Sequence, residues 1–372
     1  MPTNEDLIDK YMNARGGRLV PGNDELARTV AYLKWRANGN IDVVRQTFPK
    51  LPHIHFDIFD SWDANAIAFK YGQVYFIGVS RGIVGLLGVM FDRIMGDKSL
   101  LDFLGDSSKE RESMPNIPLG PDFVNSMKEV EIFGQPIDPM RHAVAQRMKD
   151  LAFDFVFAHE FAHIANGHLD YWSDRYGYSE IQELSESSKI ANVNQNWVRQ
   201  VIELDADRTG VFMTLSSELG KVLGHSSRPA EPVAGLYDLP SIILQLWCIS
   251  VASVARLFGD DLLEAEGSPI PLYPSWRLRS IGMQRMAHRI VRAGDFPTRL
   301  KWEDLNIPDS ILSSTYHYVE EIFSKISGMP PVTRGLLDAT SERGWKRTSQ
   351  LDEIWTKLRP DLERFAYVAL HE

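Results

Sequence analysis

Apolar and polar positions first alternate regularly at residues 53–59, where His53-Ile54-His55-Phe56-Asp57-Ile58-Phe59 repeats with a period of two. That period predicts a strand with one buried face. Two short apolar runs follow, 65–70 and 73–79, separated by Tyr71-Gly72, and they predict a β-hairpin. Upstream, residues 1–50 are polar and helical in pattern, with a helix around 23–38. Residues 96–137 are rich in Gly, Pro, Ser and charge, which predicts loops with an exposed tip at 107–113. A long helix then opens at Asp138, a good N-cap, with Pro139 in the first helical position. Val144, Met148, Leu151, Ala152, Phe155, His159, Ala162 and His163 recur at helical spacing, and Gly167 supplies a C-terminal stop. Further helices are predicted over 196–219, 240–257, 275–292 and from 308 onward. The expected class is α+β, mainly helical, with a small sheet between 53 and 80.

Composition adds limits rather than detail. With 44% apolar and 24% charged residues the chain is of ordinary globular type. Its formal charge of −10 makes phosphate backbones poor partners, so no nucleic acid is expected. A single cysteine, Cys248, allows no intramolecular disulfide and fits a reducing compartment. The polar stretch 1–18 lacks the apolar core of a secretory signal. Residues 239–255 are uncharged, but they fall about one turn short of a comfortable span and include Pro240, Gln245 and three serines. A buried core helix is expected there, with no membrane span, and the whole points to a soluble, cytoplasmic protein.

The sharpest chemical signal is His159-Glu160-Phe161-Ala162-His163, an H-E-x-x-H motif inside the long predicted helix. Residues four apart share a helix face, so both imidazoles can reach one ion. Glu160 sits about 100° round the helix from His159 and flanks the ion, where it can take a proton from a water. Zinc suits two imidazoles and one carboxylate with a fourth position left open. The preceding run FDFVFA puts these polar groups beside a buried face, where a metal supplies the partner they need. The metzincin spacing asks for Gly at 166 and His at 169; Asn166 and Leu169 reject that class. His168 is off register and past the helix stop, so a capping or surface role is expected for it. Glu203-Leu204-Asp205-Ala206-Asp207 offers the third ligand on the next helix. Small residues at Ala206 and Gly210 would let the two helices approach. Glu203 is then the expected ligand, and Asp207 the acceptor for the outer N–H of a ligand histidine.

These residues, from His159 to His168 and then Glu203 to Asp207, resemble the gluzincin zinc metallopeptidases of the HtpX and CAAX prenyl endopeptidase family and their soluble relatives. The chain is also similar to the Lit-type phage-exclusion peptidases. Asn65-Ala66-Ile67-Ala68 with the strand from Gly72 to Gly82, and Tyr273-Pro274 with Arg279, are similar to flanking family segments. The agreement in order covers residues 60–290, about 60% of the chain. The resemblance implies a zincin-like fold in which an edge strand ahead of the metal helix pairs with substrate, near Asn65 and Ala66. It implies a zincin-like domain over 51–292, flanked by helical segments 1–50 and 293–372, with 83–137 as an insertion beyond a minimal peptidase. Tyr273 stands where the family has histidine, and its hydroxyl would stabilise an oxyanion.

The expected function is zinc-dependent hydrolysis of a protein or peptide substrate, with Zn2+ on His159, His163 and Glu203, and Glu160 as general base. Two rivals stand beside it. One is a zinc-stabilised scaffold or metal-responsive regulator without turnover, against which Glu160 and the shortage of cysteine speak. The other is a helical interaction protein in which the motif is accidental.

Overall fold

The structure is a computed structural model that describes residues 3–22, 25–112, 114–117, 134–182, 193–258, 263, 270–293, 296–300, 302 and 306–370. It opens with helices α1 (Asn4–Met12) and α2 (Glu25–Thr47), followed by strands β1 (Ile54–Phe59), β2 (Ala66–Tyr71) and β3 (Val74–Ser80). Helices α3 (Arg81–Gly96), α4 (Pro139–Ala165) and α5 (His168–Tyr176) come next, then the short β4 (Glu180–Gln182). The remainder is helical: α6 (Val193–Val222), α7 (Pro240–Phe258), α8 (Trp276–Arg292), α9 (Asn306–Ser327), α10 (Arg334–Ala339) and α11 (Glu342–Leu362). The class is α+β, mainly helical with one small mixed sheet of order β1-β3-β2-β4.

The period of two does the work expected of it. Ile54, Phe56, Ile58, Ala66, Ala68, Tyr75, Ile77 and Val79 face the main core. Phe59, Ile67, Phe69 and Phe76 face the other way and join Ile8 and Met12 of α1 in a second cluster. Tyr11 stacks on Phe69 there at 3.9 Å between centroids. The two alanines of β2 are small, and α4 packs directly against that strand.

The sheet departs from expectation in one respect that bears on function. β2 pairs antiparallel with β3 along its length, and its outer side pairs with β4 at Ile67, Ala68 and Phe69. The hairpin strand carrying Ala66 is therefore an inner strand, not the free edge expected for it. Its signal was invisible because β4 is three polar-apolar residues that form a strand only by pairing. Within 83–137, α3 runs straight on from β3, with Ser80 as N-cap, and buries Ile83, Leu86, Leu87, Met90, Phe91, Ile94 and Met95. Of the expected tip, Ser107–Lys109 is a short turn of 3-10 helix, and Glu110 is buried, accepting from the amides of Ile137 and Asp138. Residues 118–133 lie outside the described residues.

α4 begins and ends where its caps demand. Asp138 accepts from the amides of Met140 and Arg141, and Pro139 follows it. The helix stops at Asn166, and Gly167 takes a left-handed φ of +76°. A Cβ on Gly167 would lie 2.5 Å from the carbonyl carbon of Phe365, so glycine is required twice over, for conformation and for close approach. Near the start of α4 the buried Arg141 donates to five carbonyls, those of Met95, Asp97, Leu100, Leu101 and Leu104. Arg141→Met leaves those acceptors and the nearby Glu110 carboxylate without their cation. We expect a loss on the order of 3–5 kcal/mol, as for other broken buried ion pairs, read by denaturant unfolding. A change under about 1 kcal/mol would refute this role.

α4 and α6 run antiparallel in constant register. Arg147 meets Glu218, Phe155 meets Gly210, His159 meets Asp207 and His163 meets Glu203. At Gly210 a Cβ would come within 3.1 Å of the Phe155 ring and 3.5 Å of the His159 amide nitrogen, so glycine there sets the helix separation. The far end is pinned by a buried cluster in which Glu218 accepts from Arg147, Lys221 and Tyr237. Burial alone would raise the Glu218 carboxyl, but Arg147 and Lys221 hold it down at about 2 against 4.5 for a free glutamate. A depressed folded value contributes stability that is complete above 4.5 and lost as pH falls toward 2. Acid unfolding of the wild type should therefore steepen in that window by on the order of 3 kcal/mol relative to Glu218→Gln. Parallel acid profiles for the two proteins would contradict the assignment.

α7 is the one helix among the described residues long and apolar enough to cross a membrane, and 78% of its span is buried inside the fold. Leu and Ile from all parts of the chain, from Leu19 to Leu370, join the main core.

Candidate metal centre

The constant register of α4 and α6 brings His159, His163 and Glu203 to one point. One ligand atom from each lies within 4.8 Å of the others. The Nε2 atoms of the two histidines are 3.2 Å apart. Glu203 Oε2 is 3.2 Å from His159 Nε2, and Oε1 is 3.7 Å from His163 Nε2. All three are buried, His163 and Glu203 completely. Burial, followed by the nearby His159 and His168, pushes the His163 imidazole well below its ordinary value, so it is neutral and able to ligate.

Around these three lies a ring of buried charge. Asp207 Oδ1 is 3.0 Å from His159 Nδ1, as expected for the acceptor of the outer N–H. Arg279 of α8 grips Asp207 with two hydrogen bonds, from Nε to Oδ2 at 2.7 Å and from Nη2 to Oδ1 at 2.8 Å. Burial alone would raise the Asp207 carboxyl, yet Arg279 and His159 hold it below the usual range. An ionised Asp207 can only accept, so His159 carries its proton on Nδ1 and presents a lone pair on Nε2. Arg199, one turn before Glu203 on α6, places Nη2 2.7 Å from Glu203 Oε1. Its guanidinium packs over the rings of Tyr273 and Trp172.

No family model, curated protein or solved structure matches this chain.

The chemistry of the site fits a divalent cation. Among the described residues neither Glu203 oxygen has a hydrogen-bond partner of good geometry; besides the ion pair to Arg199 at 2.7 Å, they face the pair of imidazole nitrogens. Four buried carboxylates, Glu160, Glu203, Asp205 and Asp207, stand against two buried guanidiniums, Arg199 and Arg279. Counted at formal charges, the surplus among these groups is two negative charges, which one dication would cancel, and uncompensated charge at this depth is costly. Two nitrogens and one carboxylate form the donor set that zinc takes when one position is kept open.

Glu160 is buried beside His159, and the two line a small apolar cleft with Ala66, Phe155, Val254 and Trp276. Tyr273 is half-buried, with its hydroxyl 3.4 Å from Arg199 Nη2, so a guanidinium stands between it and Glu203. Asn65 ends the hairpin next to Ala66, its amide donating to Ser80 Oγ at 3.1 Å. His168 is neither a surface residue nor a cap. It is fully buried as the first residue of α5 and faces His163. Its burial follows from the tight turn at Gly167, which sends α5 back across the end of α4. Arg199 is buried, although a basic residue on a polar helix turn has the pattern of a solvated one. A partial signal existed for Arg279, its spacing from Tyr273.

Proposed function

We propose that the protein is a zinc-dependent endopeptidase of zincin-like fold acting on protein or peptide substrates. The observation that carries this reading is the convergence of two imidazole Nε2 atoms and the Glu203 carboxylate, with Glu160 next to them on the helix. His159, His163 and Glu203 would hold the zinc, while Asp207 and Arg279 fix the His159 ring. When bound, zinc supplies a Lewis acid that polarises a carbonyl and acidifies a water. Glu160 would take the proton from the attacking water as that water's oxygen bonds to the scissile carbon. The same carboxyl returns the proton to the nitrogen as the C–N bond breaks. Tyr273, steered by Arg199, is the proposed oxyanion donor.

Two features support a substrate strand at the end of the hairpin. Ala66 lines the cleft shared with His159 and Glu160. Asn65 Oδ1 is a buried acceptor without a hydrogen-bond partner among the described residues, and a substrate amide would supply one. With β4 covering Ile67–Phe69, strand addition on β2 is confined to this end.

The test is a map of new protein N-termini produced by zinc-loaded wild type and by Glu160→Gln. Cleavages unique to the wild type are expected, and identical maps would remove the peptidase reading. One observation favours the alternative of a zinc-stabilised scaffold or metal-responsive regulator: His159 is only 3% exposed, and His163 and Glu203 are fully buried. Metal removal separates the two. A scaffold unfolds without zinc, whereas an enzyme stays folded and inactive.

A further inference from the structure

Behind His163, away from the ligand cluster, runs a chain of buried contacts that the proposed peptidase chemistry does not use. His163 Nδ1 is 3.1 Å from His168 Nδ1, and His168 Nε2 is 3.0 Å from Asp205 Oδ2. Asn166 donates to the same Asp205 oxygen at 2.6 Å and to Thr209 Oγ1 at 2.8 Å. His163, His168 and Asp205 are all fully buried.

We propose that His168 and Asp205 are positioning residues that set the tautomer of His163 and thereby its competence to bind metal; this rests on the zinc reading above. The Asp205 carboxylate can only accept, so His168 carries its proton on Nε2. In the proposed relay His168 Nδ1, 3.1 Å from His163 Nδ1, is the bare nitrogen that accepts from His163 Nδ1–H. His163 is left with its lone pair on Nε2, pointing at Glu203 and His159. Were the relay reversed, a proton on His163 Nε2 would occupy the position of the metal bond. The relay thus does for His163 what Asp207 and Arg279 do for His159.

The turn that carries the relay is held from outside. Tyr367 donates its amide to Ala165 O at 2.8 Å, and the Phe365 backbone closes on Gly167. The C-terminal segment after α11 therefore clamps the linkage between His163 and His168.

Zinc affinity by competition with a chromophoric chelator tests the inference, with the visible spectrum of the Co2+-substituted protein as a second readout. His168→Phe removes both polar contacts and should weaken zinc binding by about 10–100-fold, with altered Co2+ bands. His168→Gln keeps a carbonyl acceptor and an N–H donor and should recover most of that loss. Should His168→Phe fail to fold, Asp205→Ala replaces it, since it frees His168 to exchange tautomers; a loss of about 10-fold is expected. Wild-type affinity and unchanged Co2+ bands in a folded His168→Phe or Asp205→Ala protein would overturn the relay. Wild-type protein that binds no zinc would overturn the metal reading itself, a result distinct from the first.

Discussion

Glu203→Ala is expected to purify without zinc and to lose the stabilisation that chelators remove from the wild type. In the proposed centre the carboxylate would be the ligand from α6, so its loss should exceed the 10- to 100-fold typical of residues that only orient a ligand. Two energetic terms oppose each other in the metal-free protein. Arg199 loses the carboxylate 2.7 Å from its Nη2, which costs on the order of 3–5 kcal/mol if nothing replaces it. The cluster also sheds one of its two surplus negative charges, which offsets part of that cost. Zinc at a thousand times its dissociation constant would stabilise the wild type by about 4 kcal/mol. The melting temperature of the wild type should therefore drop by several degrees on chelation, and that of Glu203→Ala should not move. Metal analysis with paired melting curves reads both quantities. A variant that retains one equivalent of zinc, or responds to chelator as the wild type does, excludes Glu203 as a ligand.

What could be read from residues alone divides along the range of the forces involved. α4 was legible end to end because its signals are local: Asp138 and Pro139 at the start, apolar positions at helical spacing, Gly167 at the end. The hairpin was legible for the same reason, with Gly72 at φ +63° in its turn. The convergence of His159, His163 and Glu203 followed from helix geometry plus one tertiary expectation, that Gly210 and Ala206 mark a close helix contact; Gly210 does so against Phe155.

Three things resisted. α3, RGIVGLLGVMFDRIMG, is apolar on almost every side and carries glycines, so its period does not show. β4 exists only through β2, and it turns the strand carrying Ala66 from an edge into an interior strand. His168 and Arg199 are polar residues whose burial depends on partners far away in sequence, Asp205 for one and Tyr273 for the other. Pattern reading assigns such residues to the surface, because most polar residues at helix ends do lie there. The expectation is weakest where a fold spends stability on buried charge, and that is where the candidate site sits.

Glu160→Gln should keep the metal and lose the reaction. The substitution preserves shape, and the affinity for zinc should stay near that of the wild type because Glu160 is not among the converging atoms. Gln cannot accept the proton of the attacking water or return it to the leaving amine, so turnover should fall by about 100- to 10,000-fold. The charge count sharpens the forecast. With Glu160 gone the zinc-loaded cluster carries one net positive charge instead of none, so stability of the loaded protein should fall slightly while that of the metal-free protein rises. A merely structural glutamate would give a different pattern, with turnover following stability. Steady-state rates on a peptide drawn from the mapped cleavage sites, measured beside zinc content and melting temperature, separate the two. Retained turnover with full zinc would leave Glu160 without a catalytic part and would refute its assignment as general base.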